Sequence, residues 1–174
     1  AQNNSWSLGA CSNAGGCTTT DEYVTYQNNN GTTDSQTLAA THGGSASDWA
    51  DAISAYDNFQ NSGIVVFANG NDVNSANSAA ISGLPVIATE LADAWLTVGN
   101  LNITGNTVSA GTVTRIGNAC GLAAEFCIYA DGTDIWSSTG NLVNDYSTES
   151  GSSMAAPIVS GSIALLSEAF PNHT

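Results

Sequence analysis

Residues 47–61, SDWADAISAYDNFQN, place Trp49, Ile53, Tyr56 and Phe59 near helical spacing with Ala52 on the same face, which predicts an amphipathic helix. Ser47 is the expected N-cap, Asp48 falls in the first turn, and Gly63 is expected to supply the left-handed residue that ends the helix. The pattern then changes: IVVFA at 64–68 is a continuous, largely β-branched apolar run, as expected of a strand covered on both faces. Further strands are predicted at WLTVG (95–99), FCIYA (126–130) and NTVSAGTVT, around Val108 and Val113, with a polar, loop-rich tract over 69–94. The last element starts at Ser152 or Ser153, runs through Ile158, Val159, Ile163 and Leu166 to about Phe170, and is closed by Pro171. A helix apolar nearly all round is expected to cross the middle of a domain. Pro157 is expected in its first turn, where a missing N–H removes little from the ladder. A helix feeding a buried strand predicts an α/β layer. The segment 18–47, Asn- and Thr-rich and polar, reads as a long surface insertion.

A chain of 174 residues accommodates one domain with a sizeable core. No run approaches the roughly 18 uninterrupted apolar residues of a membrane-spanning helix, so no membrane contact is expected from this segment. Fifteen acidic residues against one base, Arg115, give a formal charge of -14, which excludes nucleic acid as a partner by repulsion from its phosphates. The four cysteines fall as two close pairs, Cys11 with Cys17 and Cys120 with Cys127. The spacing favours two short disulfides and an oxidising compartment; zinc is the weaker alternative, because the spacing exceeds CxxC and neither histidine lies near a pair.

A serine at the start of a buried helix is placed for acyl transfer, because the helix dipole and first N–H groups stabilise a developing oxyanion. It is equally placed to cap the helix. Residues 151–161, GSSMAAPIVSG, closely resemble the signature around the nucleophile of the subtilisin-like serine proteases, in which Gly, a small hydroxyl residue, the nucleophile, Met, Ala, a small residue and Pro open the central helix. The resemblance makes Ser153 the nucleophile and Ser152 its small neighbour; Ile158 stands where the family has a structural His. VVFANGND at 65–72 is similar to the family's strand and Ala-x-Gly-Asn loop, which implies that Asn71 donates to the oxyanion; otherwise Asn-Gly-Asn is an ordinary turn.

Other stretches follow in order. WLTVGNL (95–101) resembles the strand after the oxyanion loop, and YADGTDIWSST (129–139) the family's Ala-Pro-Gly turn with Asp131 in place of Pro. Together with CGLAAEFC these most resemble the subtilase domains of bacterial autotransporters. NNSWSLG at the start resembles the edge strand of the peptide groove, in one of two registers with Ser5 or Ser7 as the reference serine. Substrate contacts are accordingly expected at Ser5, Ser7, Leu8 and Gly9, and at Ala68 and Gly70. The implied fold is the three-layer subtilisin-like α/β fold with a mostly parallel sheet, incomplete here because its N-terminal part is missing, with a polar insertion at about 17–47.

The family's triad runs Asp, His, Ser, and its Asp-x-Gly and His-Gly-Thr-His motifs are not in this sequence. His42, followed by Gly43, lies in the wrong place in that order, and His173 lies near the end. The expectation is the C-terminal part of one subtilisin-like peptidase domain from an extracellular or bacterial cell-surface endopeptidase, with the triad's Asp and His outside this chain. On its own the chain is expected to be inactive and to fold poorly. The implied partners are a polypeptide substrate and, in the parent, a C-terminal translocator barrel. The alternative is a subtilase-derived adhesion module that has lost catalysis. No cofactor is expected; calcium is common in the family, but no loop matches it, and Asp131, Asp134 and Asp145 are too loosely spaced to name as ligands.

Overall fold

The computed structural model describes residues 1–5, 19–105, 112–138 and 145–171. Its centre is strand β2 (Val65–Ala68), buried along its whole length. β2 pairs in parallel with β1 (Gln2–Asn4) on one side and β3 (Trp95–Ile103) on the other. Two more strands join β3: β4 (Val113–Arg115) runs antiparallel to its end, and β5 (Cys127–Asp131) parallel to its middle. Leu101 is partnered by both Arg115 and Asp131, so β4 and β5 lie on opposite edges. β6 (Ile135–Ser138) and β7 (Tyr146–Glu149) form a separate antiparallel pair.

Side chains alternate across the sheet, and each face has its own core. Val65, Phe67 and Trp95 pack with Tyr23, Leu38 and Ile53 from helices α1 (Thr20–Asn30), α2 (Asp34–His42) and α3 (Ala46–Gln60). Val66, Ala68 and Val98 pack on the other face with Ala155, Ala156 and Val159 of α4 (Ser152–Ala169). The result is the expected three-layer α/β arrangement with a mostly parallel sheet. Trp95 anchors the first core: its indole stacks on Phe67 with ring centres 4.9 Å apart, meets Tyr56 edge-on at 5.4 Å, and donates through Nε1 to the Ser82 carbonyl at 2.8 Å.

Several local expectations are corrected. α3 is capped by Ser45, not Ser47: the Ser45 hydroxyl accepts from the Asp48 N–H at 3.1 Å. Gly63 does not adopt a positive φ, and α3 ends on a right-handed Asn61. Gly63 instead makes room for an aromatic ring, since a Cβ there would stand 2.5 Å from Phe59.

The described part of the polar segment, expected as a surface insertion, folds into two helices that reach the core, each started by a reciprocal cap. The Glu22 carboxylate accepts from the Thr19 N–H at 3.0 Å, and the Gln36 side chain accepts from the Thr33 N–H at 3.0 Å while Thr33 Oγ1 accepts in return. Gly31, at φ 61°, ends α1. These helices need few apolar residues, because Tyr23 and Leu38 are their main insertions into the core.

Only the first half of α4 is buried as expected; Leu165 and Leu166 are 69% and 57% exposed. Pro157 sits in the second turn, not the first, and so removes one rung of the ladder. Of the cysteine pairs, Cys120–Cys127 forms a disulfide around the 3₁₀ segment Gly121–Phe126. Cys11, Cys17 and Val108 lie outside the described residues.

Trp95→Ala should lower unfolding free energy by about 3–5 kcal/mol, the range for deleting a buried tryptophan. Trp95→Phe keeps the stack and leaves the Ser82 carbonyl its second donor, the Thr97 hydroxyl, so its loss should be much smaller. Urea unfolding followed by circular dichroism checks the pair; equal losses would contradict the anchoring role of the stack.

Candidate active site

Three segments distant in sequence meet at the N-terminal tip of α4. The first is the turn that leads into the helix. Gly151, at φ 154°, is the N-cap; its N–H donates to the Gly132 carbonyl at 2.9 Å, and Gly132 in turn donates to Asn100 Oδ1 at 2.8 Å. A Cβ on Gly132 would stand 2.5 Å from the Gly151 carbonyl, so only glycine lets the end of β5 approach the helix this closely. The N-cap residue of α4 is a glycine with no side chain, and the cap reading of the two serines falls away: Ser152 and Ser153 are the first two helical residues.

The second segment is the loop after β2. The Asn71 side-chain oxygen accepts from both the N–H of Ser152, at 2.8 Å, and its hydroxyl, at 3.0 Å. The Ser152 oxygen accepts in turn from the Gly70 N–H at 3.1 Å. Two donors on Oδ1 fix the orientation of the carboxamide, with its NH₂ turned away from Ser152 as a free donor. Gly151 eases this approach, since a Cβ there would stand 3.2 Å from the Asn71 amide, tighter than ordinary van der Waals contact. Ser152, counted in the sequence only as a small neighbour, is therefore what orients Asn71, and its buried hydroxyl gave no sign of this in the sequence.

The third segment is the end of β1. Ser153 Oγ donates to the Ser5 carbonyl at 3.2 Å, and Ser5 Oγ donates to the Ser153 carbonyl at 2.9 Å. That carbonyl is the one whose helical partner would have been the N–H of residue 157, which proline lacks. The missing rung is thus replaced by the Ser5 hydroxyl. Of the two candidate reference serines, Ser5 is the one found against Ser153; Ser7, Leu8 and Gly9 lie outside the described residues. Gly70 borders the site. Ala68 does not: it is 6% exposed, packed beneath α4 and paired with Val98, so it supports the site from below and is not available to a substrate.

His42 stands elsewhere. It packs on Tyr23 and Trp49, on the α1–α3 face of the sheet, and its Nε2 is hydrogen-bonded to the Tyr23 hydroxyl. The sheet separates it from Ser153. His173 lies outside the described residues. Among the described residues, no group of three or more His, Cys, Asp or Glu side chains is arranged to hold a metal ion, and no helix is long and apolar enough to cross a membrane.

The subtilase family, Peptidase_S8, matches residues 2–174, and the chain belongs to that family. Over 128 residues it is 30% identical to an extracellular serine protease of Serratia marcescens, covering 62% of this chain and 12% of that protein. It is also similar to the solved structure of the prenylagaramide maturation protease PagA, with a TM-score of 0.50 and 26% identity over 71% of this chain and 38% of that one. The chain thus spans well under half the length of each.

Burial holds the His42 imidazole below its ordinary value of 6.5. Protonation is then disfavoured in the folded state, and the unfolded chain binds more protons below that value. The stability contributed by neutral His42 is complete above pH 6.5 and is lost as pH falls through the lowered folded value. His42→Gln should flatten this part of the Tm against pH profile; an unchanged slope would show that other groups produce it.

Proposed function

We propose that this chain carries the nucleophile and oxyanion half of a subtilisin-like serine endopeptidase site. Ser153 Oγ attacks the scissile carbonyl, its proton passes to a histidine supplied from outside the chain, and the oxyanion is held by Asn71 Nδ2 and the Ser153 N–H. The reading is carried by the Asn71 carboxamide: Ser152 fixes its oxygen, which leaves its two amide hydrogens to donate beside Ser153 at the positive end of α4. An extended polypeptide substrate lies along the segment after β1, from Ser5 through Ser7, Leu8 and Gly9, with Gly70 on the other side. The Serratia protease is described as extracellular, and the Cys120–Cys127 disulfide suits the same oxidising surroundings, so the parent protein is read as secreted or displayed at the cell surface.

In the intact protein, Ser153→Ala should abolish peptide hydrolysis and labelling by a fluorophosphonate. Asn71→Ala should lower kcat by about 10²–10³-fold with little change in KM; subtilisin itself is the reference case for this loss. Persistent labelling of the Ser153→Ala variant, or an unchanged kcat without the Asn71 amide, would exclude the assignment.

The 174-residue chain alone should neither hydrolyse peptides nor take the fluorophosphonate, because His42, the histidine among the described residues, lies across the sheet from Ser153. Labelling of the isolated chain at Ser153 would bring His42 or His173 back as the base.

A further inference from the structure

Asn71 is held from two directions, and Ser152 accounts for only one. Its side chain is fixed by Ser152, but the backbone on either side of it is fixed by Asn118, in the connection between β4 and the disulfide. The Asn118 N–H donates to the carbonyl of Gly70, the residue before Asn71, at 3.2 Å. Asn118 Oδ1 accepts from the N–H of Asp72, the residue after it, at 2.8 Å.

The clamp is itself braced. Asn118 is 5% exposed, and its Nδ2 donates to the Asn77 carbonyl at 2.9 Å. Its own carbonyl accepts from Asn69 Nδ2 at 2.9 Å. The chains approach so closely that a Cβ on Gly117 would stand 2.6 Å from the Gly70 carbonyl, and one on Gly70, at φ 108°, would stand 2.6 Å from Asn118 Oδ1. Arg115, just upstream, adds a bond to the Val73 carbonyl at 3.1 Å.

We infer that Asn118 is a positioning residue for the oxyanion donor: it sets the backbone from which the Asn71 amide projects, and acts on the reaction only through that amide. A donor is effective when it already stands where the charge will develop, and an exposed loop residue such as Asn71 would otherwise sample other orientations. Gly70 on one side and Asp72 on the other leave the loop little freedom once both bonds are made. This inference rests on the proposed role of Asn71.

A double-mutant cycle in the intact protein, with a fluorogenic peptide as substrate, tests it. Asn118→Ala should lower kcat by about 10-fold or more and leave KM within about twofold, as expected for an interaction expressed only in the transition state. In the Asn71→Ala background the same change should lower kcat by less than about twofold, since the amide it positions is gone. Asn118→Asp keeps the acceptor for the Asp72 N–H and should recover part of the loss; it also serves if the alanine variant fails to fold. Complete fluorophosphonate labelling over long times would show that each variant retains a folded nucleophile.

Equal losses in both backgrounds, or a rise in KM with kcat unchanged, would overturn the inference while leaving Asn71 as donor. An Asn71→Ala variant with undiminished kcat would overturn the oxyanion reading and the inference together.

Discussion

The tip of α4 depends on one carboxamide. Asn71 presents its oxygen to the first residue of the helix, and that residue answers with both its N–H and its hydroxyl. One of the unpaired N–H groups that every helix leaves at its start is thereby satisfied by the loop after β2. The same contact fixes the only side of Asn71 that can accept, and so decides which side can donate. A structural requirement of the helix and the oxyanion donation proposed for Asn71 fall to opposite ends of one side chain. The surrounding glycines follow from this: Gly151 lets the amide reach the helix, and Gly132 lets β5 close beneath it.

A second economy involves Pro157 and Ser5. A proline in the second turn of a helix costs a hydrogen bond and leaves a carbonyl without a partner. Here the orphaned carbonyl belongs to Ser153, and the Ser5 hydroxyl occupies it. The break in the ladder thus fastens the end of β1 to the helix beside the proposed nucleophile. The two serines are 148 positions apart in sequence, yet each donates to the other's carbonyl.

Much of this arrangement was legible in the sequence, for reasons that differ by element. GSSMAAP and ANGN are recognisable because close backbone approach and helix entry tolerate very few residues, so the chemistry leaves a fixed spelling. IVVFA was legible because a strand covered on both faces must be apolar throughout. Helices α1 and α2 were not, since each inserts essentially one large apolar side chain, Tyr23 or Leu38, and carries no apolar stripe. Their caps, Thr19 with Glu22 and Thr33 with Gln36, were the available signal, and a polar composition concealed it. Ser45 and Ser47 both precede the apolar pattern, and only backbone geometry shows that Ser45 is the cap. Asn118 had no signal of its own: its bonds to residues 46 to 48 positions earlier exist only once β3 has brought the two loops together.

Arg115 also bears on how the chain itself is digested. It is the one Lys or Arg in 174 residues, and its guanidinium is engaged by the carbonyls of Gly117 and Val73. Enzymes that cut after basic residues therefore find a single eligible bond in the whole chain, and its side chain is already tied down. For a protein that meets foreign trypsin-like enzymes, such a composition is a form of resistance to digestion, achieved by leaving out the residues those enzymes read.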